Sequence, residues 1–176
     1  MVRRTAIAVI GAGMAPAALH RLAFEVGREI AARGAVLVCG GLGGVMEAAA
    51  EGAHSAGGET VGILPSYDAD SANPHIDFAV ATGMGEARNA IVIGSANAVV
   101  ALSGEGGTLA EIGFALKLKR PVIAVSAWDS ISGLHRAPSA AAAVEMALKL
   151  AQRRRAPRSR SEGGRGKASD DRSRHA

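Results

Sequence analysis

Residues 36–49 read Val36-Leu37-Val38-Cys39-Gly40-Gly41-Leu42-Gly43-Gly44-Val45-Met46-Glu47-Ala48-Ala49, and this run decides the fold. Val36–Cys39 is apolar without polar alternation, the pattern of a strand buried on both faces. The glycines that follow form a turn leading directly into helix-forming residues. The same succession stands upstream, where Ala6–Ile10 leads through Gly11 and Gly13 to Leu19, Leu22, Ala23, Val26 and Ile30 at helical spacing. That helix is expected over Ala17 to Arg33, with Gly34 as its C-terminal glycine.

Downstream the alternation continues. The second helix runs to about Ala56 and stops at Gly57-Gly58, a strand at Thr60–Leu64 stops at Pro65, and Ser66–His75 is a polar loop. A short strand is expected near Ile76–Val80, then the turn Gly83-Met84-Gly85 and a helix through Ile93. Asn97–Leu102 reads as a strand, Gly104–Gly107 as a loop, Thr108–Leu118 as a helix, Val122–Val125 as a strand and Ser139 to Gln152 as a last helix. Apolar strands alternating with helices imply an α/β protein, a Rossmann-like doubly wound and mostly parallel sheet flanked by helices.

The chain of 176 residues suits one such domain, expected over residues 1–151. Its net charge of +4 is unevenly spread: residues 1–150 carry 11 Lys/Arg against 13 Asp/Glu, and residues 151–176 carry 9 against 3. From Gln152 to Ala176 no Val, Ile, Leu, Met or aromatic residue occurs, so residues 152–176 read as a disordered basic tail. The tail is a solubilising end or, alternatively, a tether for nucleic acid or anionic lipid. Aromatic residues make up 3% of the chain, too few for an extended base-stacking surface. Arg3 and Arg4 before an apolar run could open a signal peptide, but Gly11, Gly13 and Pro16 interrupt that run. No apolar stretch reaches the roughly 20 residues of a membrane helix. A cytoplasmic protein is expected, in keeping with the single Cys39, which cannot form an internal disulfide and reads as core.

Glycine locates the chemistry. Gly11 and Gly13, then Gly40, Gly41, Gly43 and Gly44, then Gly83 and Gly85, then Gly104, Gly106 and Gly107 all follow strand ends. In an open parallel sheet the ligand crevice lies beyond those ends, where glycine lets backbone N–H groups approach a phosphate at a helix N-terminus. The loops after Ile10, Cys39 and Leu102 should therefore converge on one anion site. Donors there are expected to be the Gly106–Thr108 amides and the Thr108 hydroxyl, with Arg88 as the nearby cation. A dinucleotide site fails at Pro16 and at Cys39-Gly40, where the fingerprint wants a small residue and an acid. No Gly-Lys-Ser/Thr ends any loop, no Gly-x-Ser-x-Gly elbow occurs, and the five histidines show no metal-ligand spacing, so no metal is assigned.

Two segments carry a family resemblance. Gly40–Met46 with Gly52-Ala53, Ala56-Gly57-Gly58 and Gly62-Ile63-Leu64-Pro65 resembles the Lonely Guy (SLOG) superfamily, long labelled lysine decarboxylases. Arg88-Asn89, Ala96-Asn97-Ala98 and Ser103-Gly104-Glu105-Gly106-Gly107-Thr108-Leu109-Ala110-Glu111 resemble its Arg…Ala-Asp…Pro-Gly-Gly-x-Gly-Thr-x-x-Glu signature, with Ser103, Glu105, Asn97 and Asn89, where its hydrolases usually have Lys, as departures. Thr82–Gly85 before Ala87-Arg88 is closer to its molybdenum cofactor carrier-like branch. The resemblance implies a bound small phosphorylated ligand, a nucleotide or the molybdenum cofactor, with no further cofactor required. Its hydrolase branch implies the alternative, a nucleoside 5′-monophosphate phosphoribohydrolase in which Arg88 and Glu111 are catalytic. It also implies a homo-oligomer, for which Ile91, Ile93, Phe114 and Leu118 supply apolar surface. Thr108 and Glu111 have a second reading, a capping box in which Thr108 caps the helix and Glu111 reaches back to its N–H.

Overall fold

The computed structural model describes residues 4–155. Seven strands, β1 (Ala6–Ile10), β2 (Val36–Cys39), β3 (Thr60–Leu64), β4 (Phe78–Ala81), β5 (Ala98–Ala101), β6 (Val122–Val125) and β7 (His135–Ala137), form one sheet in the order β4-β3-β2-β1-β5-β6-β7. Every pairing is parallel. Five helices complete the α/β Rossmann-like fold: α1 (Ala17–Ala32), α2 (Val45–Ser55), α3 (Asn89–Ser95), α4 (Gly106–Lys117) and α5 (Ala140–Arg155).

Strand alternation divides the core into two layers. Ile7 and Val9 of β1 join Leu37 and Cys39 under α1, α2 and α5, with Val26, Ala49 and Val144 among the residues that cover them. Ala8 and Ile10 face the other way, onto Val92 and Ile93 of α3 and Ile112 and Ala115 of α4. With both faces covered, the strands have no need of polar alternation. The sheet grows outward from β1 through β2 and β3 to β4, then the chain returns to lay β5 on the other side of β1. The topological switch point therefore lies between β1 and β5, and a crevice opens beyond their carboxyl ends.

Several boundaries differ from those expected. β4 begins two residues later than its apolar run, and β7 is a short edge strand that its sequence, His135-Arg136-Ala137, does not announce. α5 continues through Arg155, past the expected helix end at Gln152, and the rest of the expected basic tail lies outside the described residues. Ile93 belongs to the core and Ile91 packs partly against it, leaving Phe114 and Leu118 as the exposed members of the expected apolar surface. Among the described residues no helix is long and apolar enough to cross a membrane.

Candidate functional site

Three loops meet at the switch point. The Ala12 N–H after β1 donates to the Ser103 carbonyl after β5 at 2.9 Å, and the Val45 N–H at the start of α2 donates to the Ala12 carbonyl at 3.0 Å. Asn73 holds the third loop from outside, donating its backbone N–H to the Gly41 carbonyl and its side-chain amide to the Leu42 carbonyl, each at 2.9 Å. Gly44 adopts φ +67°, and a Cβ there would stand 2.4 Å from the Gly13 carbonyl carbon, so two loops touch through a position only glycine fills.

The loops enclose a cavity of about 550 Å³. Gly11, Gly13, Gly40, Arg88, Gly107, Thr108 and Glu111 line it, as does Glu105. Gly41, Gly43, Gly44, Gly104 and Gly106 are not in its lining. Gly104 instead makes room behind it, because a Cβ there would lie 2.2 Å from the Thr108 hydroxyl. Gly83 and Gly85 form a turn whose N–H groups donate to the Ser66 and Pro65 carbonyls, and this turn delivers the residues from Glu86 to Asn89 to the cavity.

The helix that follows β5 begins earlier than expected. α4 starts at Gly106 with Glu105 as its N-cap residue, and the Leu109 N–H donates to the Glu105 carbonyl at 3.0 Å. The amides of Gly106, Gly107 and Thr108 thus precede the helical ladder and are the open donors of an N-terminus. Thr108 is the third residue of the helix rather than its cap, so the expected capping box does not form. Gly107 has nothing within 4 Å of the place its Cβ would occupy, which leaves its backbone open to the cavity.

Buried polar side chains are scarce in this core, and they gather here. Among the described residues Thr60, Arg88, Asn89, Thr108 and Glu111 are the buried polar or charged ones, and all but Thr60 line this one cavity. Thr60 is satisfied elsewhere, by Asp77 and the His75 carbonyl. Arg88 donates to the Asn89 side-chain oxygen, and the Asn89 amide donates to Glu86 at 3.4 Å. The Arg88 Nε is buried with no partner among the described residues. Gly40 makes room for this guanidinium: a Cβ there would lie 2.6 Å from Arg88 Nη2.

Glu111 is 7% exposed and has no hydrogen bond or ion pair among the described residues. Burial pushes its carboxyl up to about 7, opposed by Arg88 and reinforced by Glu86. Cys39, on the strand beneath, is pushed up to about 11 by burial and stays a neutral core thiol, as expected. Asn97, at the signature's aspartate position, lies at the other edge of the sheet, where its Oδ1 accepts the Ala6 N–H at 3.0 Å. Glu86, Asn89, Met14, Leu42 and Met46 also line the cavity and were not among the expected site residues. The apolar ones carry no signal that separates lining from core, and Glu86 and Asn89 face the cavity because Gly85–Arg88 form a turn of 3-10 helix that the sequence does not announce. Among the described residues no group of three or more His, Cys, Asp or Glu is placed to hold a metal ion.

Solved structures share this architecture. The molybdenum cofactor binding protein from Rippkaea orientalis superposes with a TM-score of 0.80 at 35% identity, covering 85% of this chain and 99% of that one. The molybdenum cofactor carrier protein from Chlamydomonas reinhardtii gives a TM-score of 0.79 at 34% identity, covering 84% and 98%. A cytokinin riboside 5′-monophosphate phosphoribohydrolase from Mycobacterium tuberculosis is 35% identical over 128 residues, 67% of this chain and 68% of that protein. Matched to its profile over residues 4–153, the chain belongs to the SLOG cluster4 family.

Proposed function

We propose that this chain binds a phosphorylated, nucleotide-like ligand, either the molybdenum cofactor or a nucleotide, in the cavity between the β1, β2 and β5 loops. The observation that carries this reading is the gathering of Arg88, Asn89, Thr108 and Glu111, buried polar side chains, around one cavity. A phosphate would take the open amides of Gly106–Thr108 and the Thr108 hydroxyl, and an acceptor oxygen would satisfy the Arg88 Nε that has no partner. Glu86, Glu105 and Glu111 are acceptors for the amino groups that adenine, guanine and pterin carry and for the ring N–H of guanine and pterin. The solved relatives named for the molybdenum cofactor support the ligand class.

Thermal-shift titration of the full chain with AMP, GMP and molybdopterin tests the reading. A ligand at 100 times its dissociation constant adds about 2.7 kcal/mol to stability. Absence of stabilisation by all three ligands would sink the proposal.

Glu111 and the phosphoribohydrolase relative favour a second reading, hydrolysis of a nucleoside 5′-monophosphate. Water would add to C1′ of the ribose as the N-glycosidic bond breaks, giving its proton to the departing base, and the ionised Glu111 would stabilise the positive charge developing on the sugar while Arg88 anchors the phosphate or ribose. Free adenine and ribose 5-phosphate released from AMP report this reaction, and equal turnover by the parent and Glu111→Ala would reject the mechanism. We also propose a homo-oligomer, and a cytoplasmic location in which Cys39 stays reduced. Nucleic-acid tethering through the basic segment ranks behind both readings, since the domain ahead of it carries net −2.

A further inference from the structure

A second concavity, of about 500 Å³, lies at the opposite edge of the sheet, where α4 ends, β6 and β7 begin and α5 makes its last turn. Lys119, Arg120, His135, Arg153 and Arg154 line it, and among the described residues no Asp or Glu does. On a domain whose residues 1–150 are net acidic, this concentration of cations is a local feature rather than a property of the surface.

Helix ends account for part of it. Arg120 Nη2 donates to the Gly94 carbonyl at the end of α3 at 2.9 Å, and Arg154 donates to the Lys119 carbonyl just past α4. Cations are favoured at such positions by the helix dipole. These contacts leave the Arg120 Nε buried without a partner, and leave the Lys119 ammonium and the Arg153 guanidinium with no ion pair among the described residues. Burial and the adjacent Arg154 both pull Arg120 below the usual arginine range, with no counter-ion beside it among the described residues.

Lys119 occupies a strained backbone position. Helices α1 and α2 end in the same way, with glycine in the left-handed region: Gly34 at φ +69° and Gly57 at φ +70°. α4 closes with the matching bonds, Lys119 N–H to the Leu116 carbonyl at 3.0 Å and Arg120 N–H to the Ala115 carbonyl at 2.8 Å, yet holds Lys119 at φ +54°. The chain thus keeps a strained lysine where its own architecture twice uses glycine.

We propose that this concavity binds a small anion bearing two or more phosphate groups, held by Lys119, Arg120, Arg153 and Arg154. Guanidinium groups match paired phosphate oxygens, and a multivalent anion is needed to neutralise several cations at once. Leu116, Pro121 and Leu150 form an apolar wall beside them, and the volume is that of a small-molecule site.

Calorimetric titration of the full chain with inorganic pyrophosphate tests the site. Arg153→Ala/Arg154→Ala should lose affinity by about tenfold or more, while Arg158→Ala/Arg160→Ala, which removes the same charge beyond α5, should change it by less than about twofold. Lys119→Gly should raise the melting temperature and weaken pyrophosphate binding together, since it relieves the strain and removes an ammonium. Unchanged affinity in Arg153→Ala/Arg154→Ala, or an equal loss in both double variants, overturns the proposal. It is overturned equally if a single-stranded oligonucleotide binds through Arg153 and Arg154 more tightly than pyrophosphate does.

Discussion

Glu111 holds its proton to a higher pH in the folded protein than in the unfolded chain, because burial lifts its carboxyl from 4.5 to about 7. Folding therefore takes up a proton between those values, and stability falls as pH rises through that window. Glu111→Gln should be more stable than the parent at about pH 8, with the difference shrinking as the pH is lowered towards 4.5. Urea unfolding followed through Trp128 measures it, and equal stability at both ends would mean the carboxylate is compensated by a partner. The same variant should abolish hydrolysis if Glu111 stabilises a sugar cation. Gly107→Val bears on the binding face of the site: it should block phosphate approach and abolish ligand-induced stabilisation. The loss of fold stability should be small, since space around Gly107 is open. Normal ligand binding by this variant would place the phosphate in another loop. Arg88 was legible as a cation after a glycine turn, and Glu111 through the family signature that ends on it. The burial of Glu111 was not, because Gly106 and Gly107 read as loop on propensity, whereas a first helical turn tolerates glycine when its amides face a ligand.

Glycine decides the packing of α1 on α2 as well, through contact rather than conformation. A Cβ on Gly27 would lie 1.8 Å from the Ala49 carbonyl oxygen, and one on Gly52 would lie 2.0 Å from the Phe24 carbonyl oxygen. Backbone blocks both positions, so neither neighbour can turn aside. Gly52→Ala should destabilise by about 1–3 kcal/mol despite the higher helix propensity of alanine, because the two helices must move apart. A rise in the urea midpoint would show that the pair can separate without loss. Such positions are silent in a single sequence: Gly27 lies inside a helical period and marks no break. The helices themselves were legible from periodicity, and the end of α1 from Gly34. β7 was not, since three residues at a sheet edge need no apolar run and are held by pairing with β6. Asn89 likewise lay inside an expected helix, and only the turn of 3-10 helix over Gly85–Arg88 shows why it faces the cavity.

At the scale of the molecule, a parallel sheet followed from apolar strands alternating with helices, but the strand order did not. Any doubly wound arrangement satisfies the same periodicity, and only the pairing of β1 with both β2 and β5 fixes where the crevice opens. The outer surface raises a further question of assembly. Phe114 and Leu118, four residues apart at the end of α4, are 39% and 43% exposed, two large apolar side chains on one side of the helix. Solvated helices of a monomer normally turn such residues inward, and a contiguous apolar patch marks an association surface. This surface is distinct from the core contacts of Ile112 and Ala115 on the same helix, so covering it requires no refolding. Light scattering at micromolar concentration should therefore give a mass of at least twice the chain. Phe114→Glu/Leu118→Glu should lower that mass to the monomer while the far-ultraviolet spectrum stays unchanged, since both side chains already meet water in the single chain. An oligomer that survives the double substitution would be built through a different face, and a parent chain that is already monomeric would leave the exposed side chains of α4 without a partner copy.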